Sequence, residues 1–270
     1  MKFQNLKKTY IVAEIGINHE GNLNTAMKLV SEAKKNGADA VKFQVFNPKT
    51  IAMKKSKIAT FHKKNIGNTS YDKIWNKLKI NYENLYKLKK LSLKLNIDFI
   101  CTAFDFESLD IVKKIGVNAL KIASSDITDI PLIKEIAKVN KPIILSTGMS
   151  KKSEILKAVK TINKKNLALL HCVSMYPCDY RYANLKRITS LKDNFKGFQI
   201  GYSDHCKDVA ASITAITLGA KIIEKHFTLD KKKNGLDHNL SADPKDLKII
   251  CDFAKNYKIS LGKKQIEPNP

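Results

Sequence analysis

The sequence predicts a parallel α/β fold, a (β/α)8 TIM barrel, and three observations predict it. Short apolar runs recur eight times along 270 residues, each followed by a helix or a helix-sized gap. The runs are continuously apolar, as parallel strands buried on both faces should be. The length suits a fold that typically takes about 250 residues. An open doubly wound sheet would show a GxGxxG turn after a strand, and the first turn here, Gly16-Ile-Asn-His-Glu-Gly21, has the wrong spacing. No repeat or domain boundary interrupts the pattern. Residues 1–262 are therefore expected to form the barrel and 263–270 a C-terminal tail.

The elements follow in order. Tyr10–Ile15 is a buried strand, and Asn24 is the expected N-cap of an amphipathic helix running to about Asn36, stopped by Gly37. Ala40–Val45 is the second strand. Alternation puts Lys42 and Gln44 on one face and Val41, Phe43 and Val45 on the other. The apolar set packs on the helices, so Lys42 points into the lumen, which is costly unless an anion meets it. Residues 47–79 are too long for an ordinary βα connection and read either as a lid over the carboxyl face or as a disordered insert. A helix over Asn81–Leu95 leads to the third strand, Asp98–Thr102. Glu107–Ile115 is helical, Ala119–Ala123 is the fourth strand, Pro131–Val139 a helix and Pro142–Ser146 the fifth strand. Ser150 or Ser153 caps a helix to about Asn163. Leu167–Cys172 is the sixth strand and Leu185–Phe195 the next helix. Ile200–Cys206 and Ile222–Phe227 are the last two strands, joined by a helix over Lys207–Lys221.

Composition narrows the function classes. At 43% hydrophobic the chain can build a real core. No run approaches the ~20 apolar residues needed to span a bilayer, and the polar N-terminus is not a signal peptide. Five scattered cysteines form no CxxC pair or disulfide framework, so a reducing cytoplasm is expected. The net charge of +24 ordinarily suggests nucleic acid. Here it is almost all lysine on helix exteriors, and Arg181 and Arg187 are the only arginines, which argues against base or phosphate-fork readout. Neither nucleic acid nor membrane is an expected partner.

Almost every strand ends in polar chemistry: Glu14 on the first; Lys42 and Gln44 on the second; Thr102 and Asp105 on the third; Lys121, Ser124 and Asp126 on the fourth; Ser146 on the fifth; Ser174 and Tyr176 on the sixth; Ser203 and His205 on the seventh; Glu224 and His226 on the eighth. In a barrel these face one mouth. His205 and His226, with Asp204 and Glu224 beside them, suit a divalent metal; they also read as ordinary polar residues at strand ends. Lys42 and Lys121 among hydroxyls suit a small multiply charged anion, a phosphate plus a carboxylate. The plainer reading of either lysine is an internal salt bridge, for instance Lys42 with Glu14. Glu14 and Asp126 are carboxylates available for proton transfer or for placing water.

These residues fall in recognisable blocks: Ala13-Glu-Ile-Gly-Ile-Asn-His-Glu-Gly21, Val41-Lys-Phe-Gln44, Cys101-Thr-Ala-Phe-Asp105, Lys121-Ile-Ala-Ser124, Ser146-Thr-Gly-Met149, Leu170-His-Cys172 with Tyr176-Pro177, Gly201-Tyr-Ser-Asp-His205 and Glu224-Lys-His-Phe-Thr228. In this order the chain resembles the N-acetylneuraminate (sialic acid) synthase family, which includes legionaminate and pseudaminate synthases, over essentially its whole length. The resemblance implies a metal-dependent condensation of phosphoenolpyruvate with an N-acyl hexose such as N-acetylmannosamine, giving a nine-carbon 2-keto sugar acid. It implies His205 and His226 as ligands of Mn²⁺ or Mg²⁺. Lys42, Thr102, Lys121, Ser124, Ser146, Ser174 and Ser203 become the phosphoenolpyruvate cage, and Gln44, Tyr176 and Asp237 sugar contacts. Glu14 and Asp126 match the family's active-site carboxylates. A homodimer is implied as well.

The chain departs from the family pattern at Asp126, where glutamate is frequent, at Ser174, where asparagine is, and at Cys178 and Leu236. Many members also carry an antifreeze-like C-terminal domain that reaches a partner's active site. It is expected to be absent here, which leaves a separate polypeptide as a possible partner. Two other readings stay open: another metal-dependent carbon–carbon bond-forming barrel enzyme acting on a phosphosugar, and a catalytically silent binding protein.

Overall fold

The computed structural model describes residues 3–51, 70–163 and 165–262. The middle of the predicted lid and the predicted tail lie outside the described residues. Eight parallel strands close into a barrel in sequence order: β1 Tyr10–Gly16, β2 Ala40–Val45, β3 Asp98–Ala103, β4 Ala119–Ile122, β5 Ile143–Ser146, β6 Leu167–Cys172, β7 Gln199–Asp204 and β8 Ile222–His226. The helices are α1 Leu23–Lys35, α2 Tyr71–Leu78, α3 Tyr82–Lys94, α4 Phe106–Ile115, α5 Ile130–Lys138, α6 Lys152–Ile162, α7 Tyr180–Ala183, α8 Arg187–Asn194, α9 Ala210–Thr217 and α10 Pro244–Ser260. No helix among the described residues is long and apolar enough to cross a membrane.

Strand parity divides the core in two. One set faces the helices: Val41, Phe43 and Val45 of β2 share a cluster with Leu85 and Leu88 of α3, and α1 offers Ala26, Leu29, Val30 and Ala33 to it at helical spacing. The other set fills the barrel: Tyr10, Val12, Ala40, Ile100, Ala119, Ile144, Leu170 and Ile222. Phe3, fully buried in the turn before β1, joins this interior cluster. Gly201 is required inside it, because a Cβ there would lie 2.4 Å from the Ile222 carbonyl oxygen.

Several boundaries shift for local reasons. Asn22, not Asn24, caps α1, its side chain accepting from Thr25 N at 2.9 Å. Neither Ser150 nor Ser153 caps α6; Glu154 closes that end by accepting from Lys151 N, and Ser150 Oγ donates to the Gly148 carbonyl. The helix expected over Lys207–Lys221 shortens to α9. Asp208 accepts from Ala210 N at its start, and Gly219 at φ +83° ends it. Residues 47–79 are not one irregular excursion, since their last part is α2. Its Ile74 and Leu78 pack with Ile17, Phe46 and Leu236 over the carboxyl face.

Candidate active site

The carboxyl ends of the strands form one polar layer above the apolar interior, and register explains which side chains meet. Glu14 pairs with Lys42 and with His226, Gln44 with Thr102, Thr102 with Lys121, Cys172 with Ser203, and Ser203 with Glu224. Cross-strand partners point to the same face, so these side chains converge on a cavity of about 370 Å³.

Its floor is a buried charge network. Lys42 Nζ lies 3.1 Å from Glu14 Oε2 and 3.6 Å from Glu224 Oε2, and donates to Thr102 Oγ1 at 3.2 Å. Lys121 Nζ lies 3.7 Å from Glu224 Oε1 and donates to Ser146 Oγ at 2.7 Å. Ser203 Oγ donates to Glu224 Oε1 and Gln44 Nε2 to Glu14 Oε1. The Lys42–Glu14 salt bridge weighed from the sequence is therefore present, and Glu224 extends it to both lysines. Glu14 Oε2 and Glu224 Oε2 sit near ammonium groups yet make no aligned hydrogen bond.

Burial and neighbours set the charges apart. Burial outweighs Lys42 and pushes the Glu14 carboxyl up to about 7. Burial acts the same way on Glu224, but Lys121 and Lys42 prevail and hold it below the usual carboxylate range. For Lys42, burial is overcome by Glu14 and Glu224, which raise its pKa; for Lys121, burial dominates and lowers it. The layer thus holds one firmly ionised carboxylate, one titrating near neutrality, and two lysines of unequal basicity.

The imidazoles form one wall. The His205 and His226 ring centroids are 5.5 Å apart, and Tyr176 stands 4.1 Å from the first and 6.1 Å from the second. His205 Nδ1 lies 2.8 Å from the Val173 carbonyl oxygen. A carbonyl only accepts, so Nδ1 carries a proton; burial opposes charge on this ring, but Cys172 and the Val173 carbonyl prevail and raise the His205 pKa. His226 Nδ1 is buried without a hydrogen-bond partner, 3.5 Å from Asp237 Oδ2. Burial and the neighbouring His205 hold His226 neutral, with its pKa well below the ordinary value. A neutral imidazole is the protonation state a metal requires, and His226 is held in it. Among the described residues no group of three or more His, Cys, Asp or Glu is set to hold a metal ion. The two histidines fit a site in which the protein supplies two nitrogens and other positions go to water or substrate oxygens.

Of the residues the sequence nominates, Glu14, Lys42, Gln44, Thr102, Lys121, Ser124, Ser146, Ser174, Tyr176, Ser203, His205, His226 and Asp237 line this cavity. Three carboxylates do not. Asp105 caps α4, accepting from Ser108 N at 2.8 Å, from Ser108 Oγ and from Asn47 N. Asp126 lies in a single turn, Ser124–Asp126, which presents Ser124 and Ser125 to the cavity instead. Asp204, read as a neighbour of the histidines, faces outward because β7 parity puts Ser203 inside and Asp204 against the helices. Missed among the cavity residues are Cys172, which the same parity rule reaches, and the apolar wall of Ile17, Trp75, Phe104, Met149 and Leu236. Trp75 comes from α2 and stands edge-on to Phe46 at 5.2 Å, a placement no local pattern encodes.

A family model described as the NeuB family matches residues 29–266. The chain belongs to the NeuB family. An N,N'-diacetyllegionaminic acid synthase of Campylobacter jejuni is 43% identical over 263 residues, covering 95% of this chain and 78% of its own length. The Legionella pneumophila protein of the same name is 38% identical, covering 96% of this chain and 75% of its own. Among solved structures, the sialic acid synthetase of Leptospira borgpetersenii superposes with a TM-score of 0.84 at 37% identity, covering 97% of this chain and 88% of that one. By name these relatives make N,N'-diacetyllegionaminic acid or sialic acid, and this NeuB chain is an enzyme.

Proposed function

We propose that the chain condenses phosphoenolpyruvate with an N-acyl hexose, N-acetylmannosamine or a di-N-acyl relative, to a nine-carbon 2-keto sugar acid with release of phosphate. The observation that carries this is the convergence, in one cavity, of two buried lysines, a row of hydroxyls and two imidazoles. The names of the Campylobacter and Legionella relatives favour a di-N-acetyl sugar.

Lys42 and Lys121, with Thr102, Ser124, Ser146, Ser174 and Ser203, hold the phosphate and carboxylate of phosphoenolpyruvate. Gln44, Tyr176 and Asp237 orient the open-chain sugar. His205 and His226 would hold Mn²⁺ or Mg²⁺, which would supply Lewis-acid polarisation of a carbonyl. C3 of phosphoenolpyruvate bonds to the sugar aldehyde carbon as its C=O π bond opens, and the aldehyde oxygen takes up a proton from solvent. Positive charge develops at C2, where the Glu14 and Glu224 carboxylates stabilise it. Water adds to C2, and Glu14, titrating near 7, accepts its proton. The tetrahedral adduct then loses phosphate by C–O cleavage, with the lysines holding the leaving group. Glu14 takes the water-placing role over Asp126 because it lines the cavity and Asp126 does not. A homodimer and a cytoplasmic setting complete the proposal.

The test is phosphate release from phosphoenolpyruvate with Mn²⁺ or chelator, against N-acetylmannosamine, di-N-acyl hexoses and phosphosugars. Release that needs metal and one N-acyl hexose, with a 2-keto acid formed, is the expected result. Release with a phosphosugar alone overturns the substrate assignment. Silence with every sugar, while phosphoenolpyruvate still binds, makes the chain a silent binder and overturns the reaction. Glu14→Gln should lower turnover far more than Asp126→Asn; no loss in either variant removes the carboxylate role.

A further inference from the structure

Lys225 stands between Glu224 and His226 but faces the opposite way. Alternation along β8 sends its neighbours into the barrel and Lys225 toward the helices. There its Nζ lies 3.3 Å from Asp204 Oδ2, with both side chains 0% exposed. An ion pair this deep is a poor source of stability unless its remaining valences are met, and replacing such pairs by apolar groups is often harmless to folding. Here they are met by the turn that carries His205. Asp204 Oδ1 accepts from Cys206 N at 2.8 Å, Lys225 Nζ donates to the Cys206 carbonyl, and Ser212 Oγ donates to Asp204 Oδ2 at 2.6 Å. The His205 carbonyl in turn accepts from Cys178 N at 2.8 Å. The backbone on the carboxyl side of His205 is therefore clamped from both strands. The lysine that clamps it precedes His226 and pairs in register with Asp204.

We infer that the buried Asp204–Lys225 pair is a positioning device that fixes the spacing of the His205 and His226 imidazoles, so that both reach one divalent ion. Neither residue lines the cavity, so both act through the histidines. The inference rests on the metal role proposed above for His205 and His226. A merely architectural ion pair would affect unfolding and leave metal affinity alone.

The experiment is Mn²⁺ binding to the metal-free protein, read from the electron paramagnetic resonance signal of free Mn²⁺, with thermal unfolding measured beside it. The proteins compared are wild type, His226→Ala, Lys225→Met, the Asp204→Asn/Lys225→Met double variant and Ser212→Ala. The double variant leaves no unpaired buried charge and is expected to stay folded. Its Mn²⁺ affinity should fall about 10–100-fold, the range typical for groups that orient a metal ligand. Wild-type affinity in the folded double variant overturns the inference. Ser212→Ala keeps both charges and decides the matter should the other variants unfold: several-fold weaker binding supports the clamp, and unchanged binding overturns it. The underlying metal reading fails separately, if wild type binds no Mn²⁺ or if His226→Ala binds it as tightly.

Discussion

Asp126 illustrates how one side chain's surroundings decide its chemistry. Its Oδ2 is buried without a hydrogen-bond partner, and burial raises the carboxyl to about 6 against the hydrogen bond from Ser125. The sign of the consequence follows from where each state ionises. Below the ordinary aspartate value both folded and unfolded chains hold the proton, and the site costs nothing. Between that value and about 6 only the unfolded chain ionises, so folding loses ground as pH rises. Above about 6 the full cost is present. Asp126→Asn should therefore stabilise the fold by on the order of 1–3 kcal/mol at pH 8. The gain should shrink steadily toward pH 4. Denaturant unfolding at several pH values measures it, and a gain that grows on acidification would contradict the assignment. At Glu14 and Glu224 the contrast is in partners: Glu224 has two lysines beside it and Glu14 one, so their pKa values move in opposite directions.

At the scale of elements, caps explain where sequence and structure part. Asp105 sits at the end of β3, where a barrel's catalytic groups gather, yet its carboxylate closes the first turn of α4 and ties down Asn47. Strand position alone does not separate a cap from a catalytic group, because both roles favour a short acidic side chain just past a strand. Asp105→Ala should cost about 1–2 kcal/mol of stability through the lost cap. Thermal unfolding beside steady-state kinetics tests this: the variant should unfold earlier while its Michaelis constant for phosphoenolpyruvate holds. A large rise in that constant without loss of stability would return Asp105 to the site. Asn24 repeats the lesson at α1: the expected cap lies inside the helix, and Asn22, two residues earlier, closes its first turn.

For the whole molecule, the barrel is a stack of layers, apolar below and charged above. Phe3 packs into the lower layer with Tyr10, Val12 and Ile222, and its backbone N donates to Asn166 Oδ1 at 2.9 Å. This contact joins the start of the chain to the segment just before β6. Phe3→Ala should destabilise the protein by about 3–5 kcal/mol, as for other buried phenylalanines. Chemical denaturation provides the measurement, and a change under 1 kcal/mol would show that the interior packs without it. At the opposite end, α2 brings Trp75 over the cavity and Leu236 arrives from the segment after β8, so the mouth is walled by residues distant in sequence.

The sequence by itself determined the barrel, seven of its eight strands to within one residue at either end, and most of the polar set at its mouth. Those features follow from local rules: continuous apolar runs, the period of two along a strand, and polar residues where strands end. It also marked His205 and His226 as convergent and Lys42 as inward-facing. Tertiary structure alone decided the rest. Whether Lys42 meets a carboxylate and whether Trp75 reaches the cavity both depend on groups far apart in the chain. Their distances are set by barrel closure and register, which no window of sequence contains.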